Sequence, residues 1–324
     1  MCKISVIIPA YNSENTISET LQSVLSQSFH DFEVIIIDDG STDQTYKIIN
    51  QVDDSRIHVF QYENAGVSTA RNRGISLARG EFLTFIDADD LWTNDKLEAQ
   101  ISALIKYPYA GVSYSSTVNM YDYCGKRYFS QGSKANVTGN VLKNLLVGNF
   151  IGSGSNILVR REAIETTNLF NPLLSGYADW EFYTKLAINW KFIAVPKNQI
   201  FYRRSINSMS LNFDKMLLEG IEAINLIYES VSTDFQKLKP MAIALMYRYC
   251  AELCLVSSSS DQAIQRAQDY LYLSIKRKPE ILLENYTQKL ISKFLVRRYL
   301  PKFLVDKIYQ ATRKKKATAY IENY

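Results

Sequence analysis

Three carboxylates fall within four residues at the end of an apolar run, Phe85-Ile86-Asp87-Ala88-Asp89-Asp90. Acids so close repel one another and are costly unless a cation sits among them, and an all-oxygen set suits Mg²⁺ or Mn²⁺. An ion held there can bridge a diphosphate and neutralise the charge that develops on it as a leaving group. The competing reading is a set of solvated acids capping a helix that begins near Asn94. Two further stretches invite a nucleotide: Pro9-Ala10-Tyr11-Asn12, and Asp38-Asp39-Gly40-Ser41-Thr42-Asp43. A tyrosine can stack on a base, and a carboxylate can accept from a uracil-type N–H or from ribose hydroxyls. Every residue of the second stretch also suits a plain turn feeding a helix cap. Gly66-Val67-Ser68-Thr69-Ala70-Arg71-Asn72 adds a glycine loop, a helix start and an arginine suited to phosphate or to the acids. In Gly176-Tyr177-Ala178-Asp179-Trp180-Glu181, Asp179 has the chemistry of a general base, or simply of an acid that favours a helix start.

Positioning these groups requires strands that end together. Apolar runs at Ile4–Ile8, Phe32–Ile37, Ile57–Tyr62, Phe82–Ile86, Gly111–Ser115 and Asn156–Val159 alternate with stretches of helical period. That pattern predicts an α/β domain with a mostly parallel sheet and helices on both faces. Ligands of such sheets bind outside the carboxyl ends of the strands, where the first two loops meet. Between the first two runs, Ile17, Leu21, Val24 and Leu25 share one helical face, with Ser13 as the expected cap. Neither loop has a Gly-x-Gly-x-x-Gly fingerprint, and there is no Gly-Lys-Ser/Thr phosphate loop, which disfavours dinucleotide oxidoreductases and P-loop enzymes. After about residue 205 the spacing is helical only, through Met216–Val231, Met241–Leu255, Gln262–Ile275, Ile281–Phe294 and Phe303–Thr312. The expected division is therefore an α/β domain over 1–212 and an all-α domain over 213–324. Tyr247 to Pro279 looks like one tetratricopeptide-like hairpin, although a lone repeat more often forms a domain's own core.

The 324 residues carry a net charge of +4 and contain no run near the ~18 apolar residues of a membrane span. No signal-type segment opens the chain, and Cys2, Cys124, Cys250 and Cys254 with His30 and His58 offer no zinc set. A cytoplasmic protein with reduced thiols is expected. Nine Lys/Arg against Asp306 alone lie between Lys293 and Lys316, a net +8 that leaves −4 elsewhere. This basic end, interleaved with Phe294, Leu295, Tyr299 and Leu300, suits either a peripheral contact with the inner membrane face or a solvated tail. No nucleic-acid partner is expected.

In their order and spacing the five blocks resemble the family 2 glycosyltransferases of the GT-A fold, over about residues 1–212. The resemblance implies that Pro9, Tyr11 and Asp39 hold the nucleoside, that Arg71 lines the diphosphate site, and that Ala10, Gly66, Asp87 and Ala88 also belong to the nucleotide site. Asp87 and Asp89 become the Asp-x-Asp motif for Mn²⁺ or Mg²⁺, and Asp179 the base of an inverting transfer. It implies a nucleotide-sugar donor, a UDP-sugar, and a glycan or lipid-linked acceptor. Two positions depart from the pattern: Ala178 replaces a common Glu, with Glu181 as a substitute, and Ser205 stands where a metal-binding His is usual. Two rival classes use similar parts. Nucleotidyl transfer would call for a basic triphosphate loop near strand one, which Pro9–Ser13 lacks; a degenerate transferase kept as a binding scaffold gains from the missing His.

Overall fold

The computed structural model describes residues 2–123, 125–204, 213–257, 260–301 and 304. In chain order the elements are β1 (Ile4–Ala10), α1 (Ile17–Leu25), β2 (Phe32–Asp38), α2 (Thr45–Asn50), β3 (Ile57–Gln61), α3 (Val67–Leu77), β4 (Phe82–Phe85) and β5 (Leu91–Trp92). There follow α4 (Lys96–Lys106), β6 (Ala110–Tyr123), β7 (Lys126–Gln131), α5 (Leu142–Val147), β8 (Leu158–Arg160), α6 (Arg161–Glu165), α7 (Ala178–Asn189) and β9 (Lys191–Arg203). Helices α8 (Phe213–Glu229), α9 (Lys239–Ser257), α10 (Asp261–Arg277) and α11 (Asn285–Tyr299) follow among the described residues. Residue contacts separate two compact units: one holds Met1–Arg127, Gln131–Leu145 and Asn149–Arg204, and the other groups the helices from Phe213 with Tyr128–Ser130 and Leu146–Gly148.

The first unit is built on one mixed sheet in the order β3-β2-β1-β4-β8-β6-β9-β5, with β7 against β6. Strands β3, β2, β1 and β4 are mutually parallel, β8 runs antiparallel to β4 and β6, and β9 lies parallel to β6. All seven residues of β1 and of β2 are buried, as expected where helices cover both faces of a parallel sheet. Helix α1 contributes Ile17, Leu21 and Val24 to that core. Ser13 is not its cap: Thr16 precedes the helix without a side-chain capping bond, and the Ser13 carbonyl accepts from the Thr16 and Ile17 N–H groups. Strands β5, β7 and β9 were not foreseen. Pro196 reads as a chain break, yet β9 absorbs it in a register shift, passing from Ser115↔Val195 to Ser116↔Asn198.

Glu33, buried within β2, accepts from the Ser5 hydroxyl at 2.7 Å, the Arg79 backbone N–H at 2.8 Å and the Arg79 guanidinium at 2.6 Å. Burial opposes its charge, but these donors outweigh it and bring its pKa from 4.5 down to about 2. A carboxyl depressed in the folded state stabilises fully above its unfolded pKa and loses that contribution as pH falls through the folded value. The urea midpoints of wild type and Glu33→Gln should therefore converge as pH drops from 4.5 toward 2. A gap that stays constant across that window would show that the ionised carboxylate is not what stabilises the strand.

In the second unit, α10 is capped by Ser260, whose hydroxyl accepts from the Ala263 N–H at 3.2 Å. It buries Ala263, Ile264, Ala267 and Leu271. Cys250 and Cys254 of α9 are buried free thiols, pushed by burial to about 12 and about 11, which keeps them in the unreactive form. The expected helix over Phe303–Thr312 and most of the basic run lie outside the described residues, and no described helix is long and apolar enough to cross a membrane.

Candidate active site

Strands β1 and β2 end in register at Ala10↔Asp38, so their loops leave the sheet side by side. The Asp39 N–H donates to the Ala10 carbonyl at 2.9 Å. Asn12, in the left-handed region at φ 46, accepts from the Thr42 N–H at 2.8 Å, and its own N–H donates to Ser41 Oγ at 3.0 Å. These bonds fix the turn after Pro9 and leave Tyr11 51% exposed, with its ring available for stacking. The buried Asp39 carboxylate accepts from Gly66 N–H at 2.8 Å, Ala65 N–H at 3.1 Å and the Arg73 guanidinium at 2.9 Å. Asp39 thus shapes the loop that starts α3, with Gly66 as the residue before the helix at φ 87.

From α3, Arg71 turns inward until its side chain is only 5% exposed, and donates to Asp87 Oδ1 at 2.5 Å. Its guanidinium lies 5.3 Å from the centre of the Phe170 ring. Burial works against its charge, but Asp87 and then Asp179 raise its pKa, so one cation faces both acids. At Gly154 a Cβ would come within 2.6 Å of the guanidinium, so a larger residue there would push Arg71 from its place. Asp87 is itself held through its N–H, which donates to Ser155 Oγ at 2.9 Å. Ala88 is buried, its carbonyl accepting from Thr20 Oγ1 at 3.0 Å.

The two remaining acids differ. Asp90 is fully buried and accepts from Ser155 Oγ at 2.6 Å, Ser153 Oγ at 3.2 Å and the Arg203 N–H at 2.9 Å, which makes it a structural tie. Asp89 is half-buried, and its carboxylate accepts no side-chain hydrogen bond from any described residue. Burial, then the Asp87 charge, pushes its pKa up to about 6. Its carbonyl is fixed by Arg203 Nε at 2.7 Å; that guanidinium also meets Glu19 at 2.6 Å and Asp122.

On the other side of Arg71 stands Asp179, in the first turn of α7. The segment leading into that helix is pinned to α3: Ser68 Oγ donates to the Leu174 carbonyl at 2.6 Å and Asn72 Nδ2 to the Phe170 carbonyl at 2.8 Å. Phe170 stacks on Phe182 of α7 with ring centres 4.1 Å apart. Burial raises the Asp179 pKa, opposed by Arg71, and brings it nearer the range in which a carboxylate abstracts a proton effectively. Trp180, Tyr183, Leu186 and Ala187 are all buried. Glu181 pairs with Lys185 at 2.9 Å, and so is engaged elsewhere. The Ser205 position lies outside the described residues. Sequence reasoning missed Ser153, Ser155 and Phe170, whose partners Asp90, Asp87 and Arg71 lie more than sixty residues away.

Among the described residues, no three His, Cys, Asp or Glu side chains converge as a self-contained metal cage. A small divalent cation does not need one, because Mg²⁺ is commonly held by one or two carboxylates with substrate phosphates and water completing the shell. Asp89, with open acceptor sites beside the charge of Asp87, fits that donor set.

A model of the family described as "Glycosyl transferase family 2" matches residues 5–167, half of the chain. The Escherichia coli UDP-Glc:alpha-D-GlcNAc-diphosphoundecaprenol beta-1,3-glucosyltransferase WfgD is 42% identical over 104 residues, 32% of this chain and 41% of that protein. The match thus spans about two-fifths of that relative. S. aureus TarS 1-349 in complex with UDP superposes with a TM-score of 0.55 at 20% identity, covering 95% of this chain and 92% of that one. The mannosyltransferase PcManGT of Pyrobaculum calidifontis, in complex with GDP-Man and Mn2+, gives 0.58 at 18% identity, covering 92% and 87%. At these identities the likeness is one of fold: the GT-A arrangement, followed here by helices. The loops after β1, β2 and β4, the last two tied to α3 through Asp39–Arg73 and Asp87–Arg71, fall within the family match, and the chain belongs to glycosyl transferase family 2.

Proposed function

We propose that this chain transfers a hexose-type sugar from a UDP-sugar to a hydroxyl of a glycan or lipid-linked acceptor, inverting the anomeric centre. The observation that carries the reading is the placement of one buried guanidinium, Arg71, bonded to Asp87 and facing Asp179, which supports a diphosphate and an acceptor base acting about one cation. Tyr11 stacks on the base, and Pro9, Ala10 and Asp39 with Gly66 form the nucleoside wall. Asp179 takes the acceptor hydroxyl proton as the oxygen bonds to the anomeric carbon. The bond from that carbon to the phosphate oxygen breaks, and its electron pair leaves with the nucleoside diphosphate. Arg71 stabilises the developing charge. Asp89 and Asp87 would hold Mn²⁺ or Mg²⁺, which supplies further charge neutralisation.

The WfgD relative is named for a UDP-glucose donor and a diphosphoundecaprenol-linked acceptor, TarS was solved with UDP, and PcManGT with GDP-Man and Mn2+. These names support the donor class and the metal. The chemistry is assigned to residues 1–212; the helical residues 213–324 are assigned to meeting the acceptor at an anionic membrane surface. Exposed Leu295 and Tyr299 beside Lys293, Arg297 and Arg298 support that assignment.

Calorimetric titration with UDP, UDP-sugars and GDP-mannose, in Mn²⁺ and in chelator, tests the reading. UDP compounds should bind more tightly than GDP-mannose. Asp89→Asn should weaken Mn²⁺-supported binding by at least about tenfold, the lower end of what even an outer metal partner contributes. Equal affinity in metal and chelator would remove the Asp-x-Asp assignment. Turnover with a lipid-linked acceptor that is no faster in anionic than in neutral vesicles would remove the membrane assignment.

A further inference from the structure

Asn149 opens a turn that ends at Gly152 and lies 30 residues upstream of Asp179. Its Oδ1 accepts from the backbone N–H groups of Ile151 at 3.1 Å and Gly152 at 3.2 Å. Backbone N–H groups only donate, so the amide oxygen must face them and the NH₂ must face the other way. That NH₂ donates to Asp179 Oδ2 at 3.1 Å, while the Trp180 N–H donates to Oδ1 at 2.8 Å. One oxygen of the carboxylate is thus held by the helix start, the other by a single neutral side chain.

The turn that aims Asn149 is itself fixed. Gly152 sits at φ 85, and a Cβ there would come within 2.6 Å of Ser133 Oγ. The Ile151 carbonyl accepts from Ser133 Oγ at 2.7 Å and from Asn156 Nδ2 at 3.1 Å, which ties down the backbone whose N–H groups orient the Asn149 amide.

Resting on the reading of Asp179 as base, we infer that Asn149 is a positioning residue for this reaction. By holding Oδ2 it sets the rotation of the carboxylate, so that a remaining lone pair points at the acceptor hydroxyl, and it favours the ionised form. The charged and titratable groups that face Asp179 are Arg71 of α3, which attracts, Asp87 of the loop after β4, which opposes, and Tyr183 of its own helix. Burial and then Asp179 itself push the Tyr183 hydroxyl well above its ordinary range, so it stays neutral. Asn149 is the neighbour whose polarity can be reversed without a change of size.

Asn149→Asp makes that reversal. One oxygen still accepts from Ile151 and Gly152, and the other stands where the NH₂ stood, facing Asp179 across the same gap. Two carboxylates so placed cannot both stay ionised, and one pKa of the pair rises strongly. At pH 7 kcat should fall about tenfold or more, with UDP affinity unchanged within about twofold, and it should recover at higher pH as the acid limb moves up by about one unit or more. A merely structural lesion would lower kcat at every pH and leave the limb in place. A kcat profile superimposable on wild type, with Asp179→Asn inactive, overturns the inference and leaves the base standing. Should Asp179→Asn turn over at the wild-type rate, the base reading itself fails. The ¹³C titration of the Asp179 carboxyl in the full chain then decides the contact: an unchanged pKa in Asn149→Asp overturns it, and a raised one upholds it. If Asn149→Asp does not fold, Asn149→Ser carries the same comparison, with a smaller shift in the same direction.

Discussion

Asp179→Asn is expected to abolish sugar transfer while leaving nucleotide binding within about twofold of wild type. Loss of a general base costs about 10²–10⁴-fold in rate. The effect should fall on kcat because proton abstraction from the acceptor contributes to the transition state and little to the ground state. The fold should survive the change. The new amide can accept from the Trp180 N–H through its oxygen, but its NH₂ then meets the Asn149 NH₂, so one hydrogen bond worth about 1 kcal/mol is lost. Arg71 keeps Asp87 as its partner. Calorimetry with UDP alongside single-turnover transfer separates the two effects. Turnover near the wild-type rate would place the base elsewhere, and Glu181, paired with Lys185, would have to give up that partner to serve.

The sheet was legible where burial on both faces writes itself as an unbroken apolar run, as in Ile4–Ile8 and Phe32–Ile37. It was illegible in β9, because Pro196 looks like a break until the parallel partner β6 is known to tolerate a register shift there. The same division holds in the site. Asp87 and Asp89 stand out by their spacing at the end of an apolar strand. Ser155, which holds both the Asp87 N–H and the Asp90 carboxylate, does not, because its partners lie more than sixty residues away. Lys96 is the sharpest case. In Asp95-Lys96-Leu97-Glu98 it reads as a solvated helix start, yet it is fully buried, its Nζ donating to Thr84 Oγ1 at 2.6 Å and lying 3.8 Å from the centre of the Trp92 ring. Burial drives its pKa well below the usual lysine value, and nothing local in the sequence signals that environment.

Arg71→Met should clearly destabilise the transferase unit, and adding Asp87→Asn should restore part of the loss. Removing the guanidinium leaves Asp87 without its 2.5 Å partner, beside Asp89 and facing Asp179. Breaking a buried ion pair from one side costs about 3–5 kcal/mol; Asp87 keeps 28% exposure, which puts the cost at or below the lower end. That is a large share of the about 5–15 kcal/mol that holds a domain folded. Methionine retains apolar contact with Phe170, so packing changes less than charge does. In the double variant no unpaired carboxylate remains at 87, and groups in direct contact are coupled by about 0.5–3 kcal/mol. The urea midpoint of Arg71→Met/Asp87→Asn should therefore lie above that of Arg71→Met. If the two unfold at the same urea concentration, the charge of Asp87 is not what Arg71 neutralises, and the stacking of its guanidinium over Phe170 would account for the whole contribution of the side chain.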